Sequence, residues 1–257
     1  MVLLNYTDSG VMCLTLNRPS TYNAFNREMA LTLQDLLDQG AEDEDVRAIL
    51  LTGEGKAFCS GQDLSEAIDP EGPGLDRILS EHYNPLVRKM RALPKPIVVA
   101  VNGVAAGAGA NLALAGDVVV AAENASFIQA FSKIGLIPDT GGTLTLPRLV
   151  GPAKASAWMM LGDKISGTEA ERAGMIYKAF PAEDLQVEAL KLADQLAQMP
   201  TRAFALTKQA LNASTYAGLD AQLELERQLQ NEAGQTQDFK EGVSAFLEKR
   251  PPQFSGK

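Results

Sequence analysis

Asp139 stands where a carboxylate can move protons. It follows Ile134, Leu136, Ile137 and Pro138 and precedes Thr140-Gly141-Gly142, so it falls at a turn among apolar neighbours. A carboxyl half withdrawn from water holds its proton to higher pH and becomes a usable general base or proton relay near neutrality. An Asp ahead of Thr-Gly-Gly is also suited to cap the helix that follows. The two roles are compatible, because a cap leaves one carboxylate oxygen over. Two glycine-bearing turns would supply the matching electrophile: Gly103 to Asn111 (GVAAGAGAN), where a buried strand hands over to a helix, and Cys59 to Leu64 (CSGQDL), a similar turn after a strand. The first N–H groups of a helix have no internal partner, and small residues let a ligand reach them. One N–H from each turn, brought together, would clamp a thioester oxygen as it becomes an enolate. Close packing of helix on strand is the alternative reading of the same glycines.

Other chemistries find less support. The single histidine, His82, has no G-x-S-x-G elbow to serve, which argues against a nucleophile triad and for a satisfied or surface side chain. If Gly107 and Gly109 open a dinucleotide fingerprint, its third glycine place holds Leu112. One histidine and two cysteines far apart, Cys13 and Cys59, offer no metal spacing and no disulfide framework. A formal charge of −9 argues against nucleic acid as a partner. The start, MVLLNYTDSG, has no targeting pattern, and no apolar run approaches the roughly 20 residues of a membrane span, so a cytoplasmic chain is expected.

Positioning these groups requires a parallel sheet wound in successive turns. Val11 to Leu16 and Arg47 to Leu51 read as strands flanking a helix from Asn26, its N-cap, to Gly40, its stop. Asp63 to Arg77 reads as a loop or lid, followed by a helix from Ser80 to Leu93 that Pro94 and Pro96 end. Pro96 to Val104 reads as one strand buried on both faces, then comes a short Gly/Ala-rich helix within Gly107 to Gly116 and a strand from Asp117 to Ala122. From Ala182 amphipathic helices take over, at 184–198, 203–215, 219–233 and 239–249, which sets a boundary near Met199-Pro200 between a core of residues 1–199 and a helical region of residues 200–257.

The stretches LNRPSTYNAFN, ILLTGEGKAFCSGQDL, PKPIVVAVNGVAAGAGANLALAGDVVVAAENASF, FSKIGLIPDTGGTLTLPRLVG, GMIYKAF and EGVSAFLEKRPPQF resemble the enoyl-CoA hydratase/isomerase (crotonase) superfamily along nearly the whole chain. The resemblance implies an α/β crotonase-like spiral of strand-strand-helix repeats with a C-terminal helical oligomerisation region, assembled as a homotrimer or hexamer. It implies backbone oxyanion donors at Gln62 and Ala108, with Asp139 as the catalytic acid or base. Substrate contacts are implied at Ala24, Ala57, Cys59, Gly61, Asp63, Leu64, Gly107, Asn111, Phe131 and Ile137, and at Phe246 and Lys249 for the adenine end of CoA, often across a subunit boundary. No cofactor is implied beyond the CoA carried by the substrate.

The departures narrow the chemistry. Similar hydratases place water with two glutamates, whose positions here hold Asn111 and Phe131. YNPLVRKM, AFSKIGLIPD and EGVSAFLEKR are most like the branch that isomerises ring epoxides in phenylacetate catabolism. That implies an acyl-CoA isomerase converting ring-1,2-epoxyphenylacetyl-CoA to an oxepin-CoA, or shifting 3-enoyl-CoA to 2-enoyl-CoA. A hydratase or other acyl-CoA enzyme, and a CoA-binding assembly subunit without turnover, stand as alternatives.

Overall fold

In the computed structural model, which describes residues 2–257, the strand-rich part of the chain divides between two sheets. Ten strands occur among the described residues: β1 (Val2–Tyr6), β2 (Val11–Leu16), β3 (Ala48–Gly53), β4 (Ala57–Cys59), β5 (Ile97–Val101), β6 (Val104–Ala106), β7 (Val118–Ala122), β8 (Ser126–Ile128), β9 (Lys164–Ser166) and β10 (Lys178–Phe180). One sheet runs β1-β2-β3-β5-β7-β10, and the other runs β4-β6-β8-β9. The pairs β3/β4, β5/β6 and β7/β8 each give their first strand to the larger sheet and their second to the smaller, with helix between pairs. That is the strand-strand-helix spiral. Within these turns the pairing is parallel; β1 with β2 and β8 with β9 are antiparallel. β3 and β5 are buried at every position and lack polar alternation, as a sheet covered on both faces requires.

Pro96 to Val104 is therefore two strands in two sheets, where the sequence suggests one. The break is Asn102-Gly103. The Asn102 side chain accepts from the Gly53 N–H at 3.3 Å and donates to the Gly55 carbonyl at 2.9 Å, and a Cβ at Gly103 would collide with the Lys56 carbonyl. An apolar run cannot signal such a corner, because both strands are buried. The helix Arg27–Glu42 starts as expected, with Asn26 accepting from the Met29 N–H at 3.0 Å, but runs through Gly40 to a cap at Asp43. Gly40 is there for space: a Cβ would lie 2.7 Å from Met12 Sδ. The expected loop of 63–77 contains short helices at Leu64–Ala67 and Gly74–Arg77. The latter passes into a π-helical turn, Ile78–Tyr83, and then Asn84–Ala92, so helix begins before Ser80.

The C-terminal helices are Leu185–Ala197, Thr201–Ser214, Leu219–Ala233 and Gln237–Glu248. The first lays a stripe of Leu185, Ala189, Ala193 and Ala197 on the large sheet, four apart and buried. The second is tied down by Lys208, whose Nζ donates to Asp117 Oδ2 at 2.7 Å, and by Arg91 donating to Asn212. No helix among the described residues is long and apolar enough to cross a membrane.

Candidate active site

The smaller sheet decides where the two glycine-bearing turns lie. β4 and β6 are parallel neighbours, Ala57 opposite Val104 and Cys59 opposite Ala105, so the chain leaves both strands at the same edge and the turns emerge side by side. Gly61 takes φ +97°, open to glycine and costly to other residues, and an added Cβ would press on the Ala106 carbonyl at 3.0 Å and stand 3.7 Å from the Ala108 nitrogen. On one side the turn is bonded to Phe25: the Phe25 N–H donates to the Gly61 carbonyl at 2.8 Å, and the Asp63 N–H to the Phe25 carbonyl at 2.7 Å. This extended pairing turns the Gln62 N–H to the opposite side. Ala108 is the first residue of the helix Ala108–Ala113, so its N–H has no helical acceptor. Among the described residues neither N–H is taken by the protein. Close packing also holds, since a Cβ at Gly109 would run into Cys59.

β8, beside β6, leads through Ala130–Ile134 to Asp139. Thr140 Oγ1 donates to Asp139 Oδ1 at 2.6 Å, while the Asp139 carbonyl accepts from the Gly142 N–H at 2.8 Å and from Asn111 Nδ2 at 2.9 Å. Burial raises the Asp139 carboxyl above its ordinary value, partly offset by the hydrogen bonds from Thr140 and from its own N–H. The capping role is not observed. The helix Gly142–Val150 starts from Gly141 with no side-chain cap, because Thr140 and Gly141 both take left-handed φ (53° and 77°) and carry the carboxylate away from the helix start. That conformation is strained for a β-branched residue, and strain of this kind collects at functional sites.

Asn111 lies beneath this turn, 2% exposed, with its side-chain Oδ1 accepting from Gln129 Nε2 at 2.8 Å. The amide is thus spent on the protein, so Asn111 holds Asp139 in place instead of facing the cavity. Asn111→Ala should lower stability by about 1–3 kcal/mol, by stranding the Gln129 donor and weakening the Asp139 turn, as read by denaturant unfolding.

The turns and Asp139 enclose a cavity of about 230 Å³. Of the expected site residues, Gly61, Gln62, Leu64, Gly107, Ala108, Phe131 and Asp139 line it. Asp139 is the sole carboxylate in that lining among the described residues, and Phe131 occupies the wall beside Gly107. Ala57 and Cys59 sit behind the wall in β4, and burial pushes the Cys59 thiol up to about 12. Ala24 and Asp63 flank it, joined through Arg18, which donates to the Ala24 carbonyl and pairs with Asp63 at 2.9 Å. Ile137, Phe246 and Lys249 lie outside it. Ile137 is 79% exposed, Phe246 borders a separate apolar groove of about 590 Å³ between C-terminal helices, and Lys249 caps Gln237–Glu248 in the left-handed region. His82 is buried, not at the surface, and its Nδ1 has no partner.

The wall also includes Ile78, Leu79 and Tyr83, which the sequence reading does not single out. Apolar residues at 78, 79, 83 and 86 look like an ordinary core stripe, and only the π-helical turn reveals that some face a cavity.

Residues 6–257 match the enoyl-CoA hydratase/isomerase family. The chain belongs to that family. It is 51% identical to the 1,2-epoxyphenylacetyl-CoA isomerase of Escherichia coli K12, over 99% of this chain and 98% of that one. It is 40% identical to the 2,3-dehydroadipyl-CoA hydratase of the same organism, over 96% of each. Among solved structures it resembles an enoyl-CoA hydratase from Bacillus anthracis, with a TM-score of 0.95 at 33% identity over 100% of this chain and 99% of that one. The chain thus shares its spiral with a hydratase of the family while matching relatives named as isomerase and as hydratase in sequence.

Proposed function

We propose that this member of the enoyl-CoA hydratase/isomerase family is an acyl-CoA isomerase with a single proton-moving carboxylate. Its proposed reactions are conversion of ring-1,2-epoxyphenylacetyl-CoA to an oxepin-CoA and the shift of 3-enoyl-CoA to 2-enoyl-CoA. The observation that carries this reading is the cavity with one carboxylate, Asp139, where Asn111 is turned to a structural task and Phe131 presents an aromatic wall. Activating a water for addition calls for a second positioned acid or base. The 51% identity to a named isomerase supports the same reading.

In the proposed mechanism the Gln62 and Ala108 N–H groups donate to the thioester oxygen and stabilise the enolate that forms when the α-proton leaves. Asp139 takes that proton and returns it at the γ-carbon, so the double bond moves without gain or loss of atoms. For the ring substrate, the C–C bond shared by the epoxide and the six-membered ring breaks while both C–O bonds stay, so the oxygen joins a seven-membered ring, and the α-proton is returned at a ring carbon conjugated with the enolate. Phe131 and the apolar wall keep water from the intermediate. CoA is part of the substrate and no further cofactor is used. Its pantetheine would run past Ala24 and residues 57–62, and its adenine would meet Phe246 and Lys249 of a neighbouring copy in a homotrimer or hexamer. Residues 200–257 would form that oligomer contact, and the enzyme would work in the cytoplasm.

Mass spectrometry of products formed in heavy-oxygen water tests the reading. Unlabelled, mass-neutral products from ring-1,2-epoxyphenylacetyl-CoA and from a 3-enoyl-CoA are expected; solvent oxygen in the product would make the chain a hydratase or hydrolase.

The pH dependence has a defined sign. The base form of Asp139 is needed, so kcat/KM should rise with pH along one limb whose midpoint lies above the ordinary carboxylate value of 3.8, because burial raises that group. Its pKa is higher folded than unfolded, so the folded state binds the proton more tightly and stability is lost as pH climbs from the ordinary value through the folded one. Asp139→Asn should therefore be more stable than wild type at neutral pH, with the gain vanishing below about pH 3.8. Thermal unfolding across pH checks this.

A further inference from the structure

Tyr83 is 1% exposed, lines the cavity that holds Asp139, and carries a hydroxyl with no hydrogen-bond partner. An unpaired buried hydroxyl is destabilising, so a protein retains one where a ligand completes it. The local backbone is arranged for this. Ile78–Tyr83 is a π-helical turn, in which residues five apart stack, and this puts Ile78 and Tyr83 on one face, both in the cavity wall. A regular α-helix would turn residue 83 well away from residue 78. The ring is steadied by Phe25, centroid to centroid 5.7 Å, leaving the hydroxyl as the polar end of an apolar wall.

We propose that Tyr83 is a specificity-determining residue, whose hydroxyl donates a hydrogen bond to an ether-type oxygen in the acyl group. The substrate class is then a CoA thioester whose acyl group is a ring bearing its own oxygen, distinct from the thioester oxygen held by Gln62 and Ala108. Burial holds the phenol well above its ordinary value, reinforced by the negative charges of Asp139 and Glu66, so the group is a donor throughout the working range. The other unpaired buried atom in the wall, Gln62 Oε1, is an acceptor whose amide nitrogen is already given to Glu66 at 2.8 Å, so it cannot do this task. An unbranched 3-enoyl chain offers Tyr83 nothing and leaves the hydroxyl unpaired, which disfavours such substrates. The oxygen-bearing ring draws on the isomerase reading of the preceding section, but the binding preference does not depend on any reaction.

The test uses two non-isomerising thioesters of equal shape, tetrahydropyran-2-ylacetyl-CoA and cyclohexylacetyl-CoA, bound to wild type and Tyr83→Phe and followed by calorimetry. Wild type should bind the oxygen-containing ring about tenfold more tightly, and the variant should bind the two alike. A merely structural role for Tyr83 would move both affinities together. Tyr83→Phe should fold as wild type, with Tm equal or up to about 4 °C higher, since it deletes an unpaired buried group. In turnover, the variant should lose about tenfold in kcat/KM on the ring epoxide and gain on 3-hexenoyl-CoA, whose chain leaves the wild-type hydroxyl unpaired. No preference in wild type, or a preference that survives in the variant, overturns the proposal. Wild type that turns over neither substrate overturns the isomerase reading, while the affinity ratio still decides the role of Tyr83.

Discussion

Asp139→Asn should reduce isomerisation of a 3-enoyl-CoA and of ring-1,2-epoxyphenylacetyl-CoA by about 100- to 10,000-fold in kcat, the range for losing a positioned general acid or base. Asparagine is nearly the same shape, and its side-chain oxygen can still accept from Thr140 Oγ1, as Asp139 Oδ1 does at 2.6 Å. The backbone bonds that fix the turn, from Gly142 and Asn111 to the Asp139 carbonyl, are untouched. Substrate should therefore bind with little change in KM while the proton loses its carrier. Exchange of the α-hydrogen with deuterated water gives a second readout that needs no complete turnover, and it should fall in parallel. Exchange that persists while isomerisation collapses would mean that another base takes the α-proton and that Asp139 only delivers it at the γ-carbon. Loss of neither would remove Asp139 from the chemistry. It would favour a CoA-binding subunit if wild type also binds acyl-CoA without converting it.

How far the sequence reveals this arrangement depends on the kind of signal each part carries. The amphipathic helices near the C-terminus are legible because burial of one face leaves a period of about 3.6 residues, and Leu219–Ala233 has the expected bounds. The strands are legible as apolar runs, but their division between two sheets is not. Ile97–Val101 and Val104–Ala106 are separated only by Asn102-Gly103, and what bends the chain there is the approach of the Lys56 carbonyl, a residue almost fifty positions away. Gly40 misleads for a related reason: a glycine near a helix end resembles a stop, and here it makes room for Met12. In the site, the turns at Gly61 and Gly107 announce themselves by composition, and Asp139 by its apolar flanks. Asn111 and Tyr83 are different. Whether an amide faces a cavity or a carbonyl beneath it, and whether a tyrosine in an apolar stripe meets core or ligand, is decided by a hydrogen bond to Asp139 and by a π-helical turn. Neither has a local signature.

Ala108→Pro removes one donor of the clamp and leaves Asp139 untouched, and should cost at least about 100- to 1,000-fold in kcat/KM, the usual loss for one oxyanion donor. Proline removes the N–H, and the first position of a helix is where its ring is tolerated, because the missing hydrogen would be unpaired by the helix anyway. The residue before proline must avoid the α region. Gly107, at φ 53° and ψ −127°, sits in the mirror image of the extended conformation preferred there, which glycine alone adopts freely. The fold should thus survive, and circular dichroism with thermal unfolding checks that it does. Because the enolate forms only after Asp139 has taken the α-proton, loss of the donor should lower kcat and the rate of α-hydrogen exchange, and the ring Cδ, standing where the N–H pointed, should raise KM as well. Paired with Asp139→Asn, the variant separates two ways of failing: without the base no proton leaves, and without the donor the proton leaves to an enolate held by Gln62 alone. If the steps are coupled, the double variant should fall less than the product of the single losses, since a clamp has little left to stabilise once the proton stays in place. Multiplicative losses would show that the Ala108 N–H acts before proton removal, on the ground-state carbonyl, so that its contribution belongs to binding the thioester and not to forming the enolate.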